Sequence, residues 1–220
     1  KRVLPKTTFT IMGDVSQNIH YDSGMNDWEE LKKQVFSSER DYFYVLAKSY
    51  RNTVEISEYA GKILKKCSFP SYQIEPIIRH GKEVLVCQEK RKQDMKSRAV
   101  TIIQNWQKEG YETIAVICLD DKETKEVADS LKEELIVQKM TEKEAVFSQG
   151  IMILPIDLAK GLEFDTVLLW NPTSTRYPKT DGNGKLLYVA CTRALHELGI
   201  LIEGELSTLL EENKTDSFVS

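Results

Sequence analysis

Residues Ile114 to Leu119 read Ile-Ala-Val-Ile-Cys-Leu, an apolar run with no polar interruption. A strand with one wet face alternates apolar and polar positions, whereas a strand apolar throughout must be covered on both faces. Ile151–Leu154, Thr166–Trp170 and Leu198–Ile202 share this character, and Thr8–Met12, Tyr42–Leu46 and Glu83–Cys87 read as further short strands. Helical spacing separates them. Asp27–Phe36 places Trp28, Leu31 and Val35 together. A segment capped by Asn52, with Glu55 three residues on, aligns Ile56, Ala60, Ile63, Leu64 and Cys67. Ala99, Ile102, Ile103 and Trp106 mark a helix ended by Gly110, and Asp120 with Glu123 starts one continued by Val127 and Leu131. Gly184–Leu195 reads as the last helix. Strands alternating with helices in this way predict an α/β fold of three layers, a parallel sheet with helices on both faces.

The polar stretch Ser37–Asp41 reads as a boundary, dividing residues 1–36 from a domain over 37–212, and the polar tail 213–220 reads as frayed. The 220 residues carry a net charge of -4. A domain that grips nucleic acid alone needs clustered Lys and Arg, so nucleic-acid contact here is expected to be local or shared. Cys67, Cys87, Cys118 and Cys191 form no CxxC pair, and His20, His80 and His196 are scattered, which points to reduced thiols and no zinc signature. Neither a signal peptide nor a membrane-length apolar run is visible, so a cytoplasmic location is expected.

In parallel sheets ligands gather at the carboxyl ends of strands, so chemistry is expected in the segments that follow strands. Four stand out. Gly13-Asp14-Val15-Ser16-Gln17 puts a carboxylate and an amide on a tight turn, or is a plain Asx-type turn. Ser49-Tyr50-Arg51-Asn52 offers an arginine whose planar fork suits phosphate, or a solvated surface arginine. Ala159-Lys160-Gly161-Leu162-Glu163-Phe164-Asp165 anchors Leu162 and Phe164 in the core and turns Lys160, Glu163 and Asp165 outward, with Gly161 allowing close backbone approach. Leu187–Ala194 gathers Leu187, Cys191 and Ala194 on one helical side and carries Tyr188, Thr192 and Arg193; the plain alternative is a helix with one exposed arginine.

Taken in order, these segments resemble the later motifs of superfamily 1 helicases of the UvrD/Rep type. Gly13-Asp14 with Gln17 resembles GDxxQ, Ser49–Asn52 resembles the NYR-type motif, Ala159–Phe164 matches AKGLEF, and Val189–Ala194 matches VAxTRA. The resemblance implies a RecA-like, P-loop NTPase-like second domain over 37–212, with 1–36 as the end of the first domain. It implies an ATP-dependent DNA helicase in which ATP is clamped between two such domains. Arg51 and Arg193 would contact the terminal phosphate as arginine fingers, Gln17 would sense it, and Glu163 would bind the ribose, with Gly161 and Asp14 beside the nucleotide. Lys160, His20 and Tyr21 would lie on a single-stranded DNA track, the two aromatic rings by stacking.

The chain has no GxxxxGK[ST] segment. Gly182-Asn183-Gly184-Lys185 is a superficial echo that reads as a turn. The P-loop and most ligands of Mg2+ are therefore expected on an N-terminal domain of the same protein, and this chain is expected not to hydrolyse ATP alone. After Gln17 the run Asn18–Gly24 departs from the family's aromatic pair, and Asp22 would repel phosphate. That departure suits ATPases resembling HelD, whose partner is RNA polymerase. Two other classes compete. One is a RecA-like docking module without catalysis, for a protein partner such as RNA polymerase. The other is a Rossmann-type enzyme, for which the required GxGxxG is missing.

Overall fold

The computed structural model describes residues 7–18, 27–36, 41–69, 75–76, 78–141 and 148–211. A short parallel pair, β1 (Lys48–Ser49) and β2 (Glu75–Pro76), stands beside a six-stranded sheet. That sheet comprises β3 (Leu85–Glu89), β4 (Thr113–Cys118), β5 (Val137–Lys139), β6 (Gly150–Pro155), β7 (Phe164–Trp170) and β8 (Ala194–Glu203). Their order is β3-β8-β7-β4-β6-β5, and every pairing is parallel.

The uninterrupted apolar run becomes central strand β4, with β7 on one side and β6 on the other. Its side chains alternate between two cores. Ala115 and Ile117 face the core built with α2 (Val54–Leu64) and α5 (Asp181–Cys191). Ile114, Val116 and Cys118 face the core built with α3 (Lys92–Lys108) and α4 (Asp121–Leu131). This is the expected three-layer α/β arrangement. Helix α4 begins as its sequence predicts: Asp120 Oδ1 accepts from Glu123 N at 2.8 Å while Glu123 Oε2 accepts from Leu119 N at 2.8 Å. Gly110, at φ 91°, turns the chain out of α3 in a conformation side chains disfavour.

Several expectations are corrected. Thr8–Met12 is not a buried strand: no described strand pairs with it, and Phe9, Ile11 and Met12 are exposed. Tyr42–Leu46 likewise forms no strand and exposes its side chains. Strand-forming residues need a neighbour to accept their hydrogen bonds, and neither segment has one among the described residues. A helix does form at α1 (Trp28–Val35), capped by Asp27, with Trp28 edge-on to Phe43 at 6.1 Å, but it buries no residue. Thr53, not Asn52, caps α2, and Glu55 turns instead to Gly81 N at 2.8 Å and to His80. Gly182–Lys185 is the first turn of α5, capped by Thr180, rather than a loop. The last helix ends at Cys191, and Ala194 already belongs to β8.

Candidate functional site

Glu163 immediately precedes β7 and Arg193 immediately precedes β8, and Phe164 N donates to Arg193 O at 3.0 Å. Both charged residues therefore stand at the amino edge of the sheet, not at the carboxyl edge expected from strand order. The connection after β6 explains this. It coils through tight turns, with Leu158 N on Pro155 O, Ala159 N on Ile156 O and Leu162 N on Ala159 O. Gly161 then reverses direction at φ 86°, and β7 starts from the opposite edge. A Cβ on Gly161 would meet nothing within 4 Å, so the backbone angle, not crowding, calls for glycine. Phe164 is fully buried and Leu162 packs against the core, which anchors the loop as expected.

Arg51 meets Glu163 there, Nε to Oε1 at 2.6 Å. Arg193 is 1% exposed, the reverse of a solvated arginine. Its Nε donates to Val189 O at 3.0 Å, Nη1 to Leu162 O at 3.2 Å and Nη2 to Thr192 Oγ1 at 3.3 Å. None of these partners carries charge. Burial lowers its pKa, and Arg51 adds to that, against the attraction of Glu163 and Asp14. A guanidinium nonetheless remains cationic at neutral pH. The site thus holds a buried cation bonded only to neutral oxygens, with a second guanidinium close enough to repel it.

Asp14 caps a short 3-10 turn, Val15–Gln17, accepting from Ser16 N at 2.9 Å and from Gln17 Nε2 at 2.6 Å. The plain Asx-turn reading is therefore correct as local geometry. The turn buries Val15 and Ser16, and its Asp14 charge is felt at Tyr188, Lys185 and Arg193. Tyr188 feels both sides: burial and then Asp14 push its pKa up to about 12, against Arg193 and Arg51. Lys160 is exposed on the loop before Glu163, and His20 and Tyr21 lie outside the described residues.

Asp165 does not face outward as expected. Its Oδ2 accepts from Glu112 N at 2.9 Å, Thr113 N at 2.8 Å and Thr113 Oγ1 at 3.0 Å, tying the start of β7 to that of β4. Burial raises its pKa, and these hydrogen bonds outweigh burial and hold it below the usual value. Two contacts were missed: Asn52, beside Arg51, bonds to the segment that carries Arg193, and Arg79 bonds to both segments. An asparagine beside a helix start gives the same signal whether it caps or reaches elsewhere, so sequence offers no way to tell.

At the carboxyl edge a cleft of about 430 Å³ opens beside Asp120, Trp170, Asn171 and Arg176. Its Arg176 is already paired with Glu123, and none of the motif residues lines it. The motif cluster lies at the opposite, amino edge, where buried Arg193 makes no ion pair among the described residues. Among the described residues no group of three His, Cys, Asp or Glu converges as a metal site, and no helix is long and apolar enough to cross a membrane.

Two family models, each described as a UvrD-like helicase C-terminal domain, match residues 44–151 and 150–201. Gly13–Gln17 lies outside both matches. The structure is similar to the crystal structure of the C-terminal domain of a possible DNA helicase from Lactobacillus plantarum WCFS1, at 28% identity and a TM-score of 0.62, covering 74% of this chain and 92% of that chain. No curated protein matches the chain.

Proposed function

Because the chain belongs to the UvrD-like helicase C-terminal domains, we propose that it is the second motor domain of an ATP-dependent DNA helicase and supplies half of a shared ATP site. Arg51 and Arg193 contact the terminal phosphate of ATP, Glu163 holds the ribose, and Gln17 reports on the phosphate. A P-loop domain of the same protein holds the other side of the nucleotide and its Mg2+. Lys160, with His20 and Tyr21, contributes to the single-stranded DNA path.

The observation that carries this reading is Arg193, buried, bonded only to carbonyls and a hydroxyl, and next to Arg51. A buried charge without a counter-charge is costly, and function is the common reason to keep one. A phosphate arriving between two guanidiniums would give Arg193 the anionic hydrogen-bond partner it lacks and offset its repulsion by Arg51. Phosphoryl transfer is catalysed mainly by positioning and charge stabilisation, to which an arginine finger contributes roughly 10³–10⁵ in rate. Domain closure on ATP and opening after hydrolysis would then move the motor along a strand.

The test is ATPase activity of this chain and of the full-length protein, each with and without single-stranded DNA. A silent isolated chain and a DNA-stimulated full-length protein are expected. Full-length activity indifferent to DNA would replace the DNA motor with one serving a protein partner such as RNA polymerase. A silent full-length protein would leave a docking module.

A further inference from the structure

Arg193 sits in the turn between α5 and β8, and four successive carbonyls of that turn are claimed by distant parts of the chain. Thr192 O and Ala194 O both accept from Asn52 Nδ2, the first at 3.0 Å. Arg193 O accepts from Phe164 N at 3.0 Å, and Leu195 O accepts from Arg79 Nη2 at 2.7 Å. The same Nη2 also donates to Arg51 O, and Arg79 O accepts from Val54 N at 3.0 Å. The ladder slips beside this turn: Phe164 pairs with Ala194 but Thr166 pairs with Glu197, leaving one extra residue on β8. Such a bulge re-aims side chains at the rim of a sheet.

We infer that Asn52 and Arg79 are positioning residues that clip the Arg51 segment to the Arg193 turn, so that the two guanidiniums meet the phosphate as one fixed pair. This rests on the reading of Arg51 and Arg193 as phosphate contacts. Two like charges at close range tend to part, and the repulsion of Arg193 by Arg51 is felt in its lowered pKa alongside burial. Side-chain ion pairs at a half-exposed site are weak restraints. The clip restrains the backbone on both sides instead. Asn52 is 5% exposed, and each hydrogen of its amide nitrogen serves one carbonyl flanking Arg193. Arg79 bridges the carbonyl of Arg51 itself to the residue after Ala194.

The test is steady-state ATP hydrolysis by the full-length helicase with Asn52→Ala or Arg79→Ala, each alone and combined with Arg193→Ala. Misplacing a catalytic group by an ångström costs on the order of 100-fold, so each single change is expected to lower kcat about 10- to 100-fold with little change in KM. Combined with Arg193→Ala, each should lower kcat much less than it does alone, because the clip serves to hold the two arginines as a pair and that pair is already gone. A merely structural role would reduce the folded fraction in both backgrounds, and the losses would multiply. Asn52→Ala strands two interior carbonyls, so Arg79→Ala, at an exposed position, decides the matter if the Asn52 variant melts early. Unchanged kcat in the single variants, or multiplying losses on the reduced but measurable turnover of Arg193→Ala, overturns the clip alone. Full turnover by Arg193→Ala overturns the phosphate reading and the clip with it.

Discussion

Arg51 and Glu163 form an ion pair, Nε to Oε1 at 2.6 Å, between segments more than a hundred residues apart, with their side chains 36% and 43% exposed. At that exposure the pair adds little stability. Its weight lies in what each partner would do for a nucleotide. A phosphate drawing Arg51 away and a ribose engaging Glu163 would exchange one internal pair for two external contacts.

Glu163→Gln is therefore expected to leave the melting temperature almost unchanged. ATP binding to the full-length protein should weaken by about 1.5–3 kcal/mol, the range for a hydrogen bond to a charged group. Titration calorimetry measures this directly, and equal affinities would remove Glu163 from the site.

Arg193→Ala should reduce ATP turnover by about 10³–10⁵. Burial changes how the experiment must be run. The alanine strands Leu162 O, takes one of two donors from Val189 O and leaves a void, so a loss of stability accompanies the loss of rate. Arg193→Lys keeps the charge and gives up the planar fork. It should retain more stability than the alanine variant and still lose most turnover. Turnover close to wild type in the lysine variant would show that charge alone suffices.

Asp165→Ala removes the acceptor shared by Glu112 N, Thr113 N and Thr113 Oγ1. Leaving such donors unpaired costs about 1–3 kcal/mol, which should appear as a lower urea midpoint at constant slope. An unchanged midpoint would mean that water replaces the carboxylate without loss.

Glu55 provides a pH test outside the arginine cluster. Its own backbone N–H, then His80 and Gly81, hold its carboxyl at about 2, below its ordinary value of 4.5. A depressed folded-state value means that its contribution is complete above pH 4.5 and fades as pH falls toward 2. Carboxyl NMR should show that low midpoint, and the melting difference between wild type and Glu55→Gln should shrink across the same window. A midpoint near 4.5 would rule out the Gly81 contact in solution.

The three-layer fold was legible because Ile114–Leu119 permits no wet face, and β4 is indeed covered on both sides. Glu163 and Arg193 were legible as motif residues. Their place at the amino edge was not, since it depends on how a short coiled connection returns from β6 to β7. Tyr42–Leu46 has strand-forming composition, but composition does not supply a neighbour. Asn52 shows the same limit at one residue: its amide donors could have capped the adjacent helix, and they found carbonyls 140 and 142 residues away.

The position of β8 bears on how the chain is made. Among the described residues strand β3 pairs with β8 alone, and β8 is made after every other strand of the sheet. A ribosome that has delivered the chain up to Arg193 has produced β3 without its β8 partner and an arginine whose following strand is not yet made. Until β8 is made and paired, Leu85 and Val86 wait on an open edge, so a product that stops within α5 would leave β3 unpaired and prone to capture by chaperones or proteases.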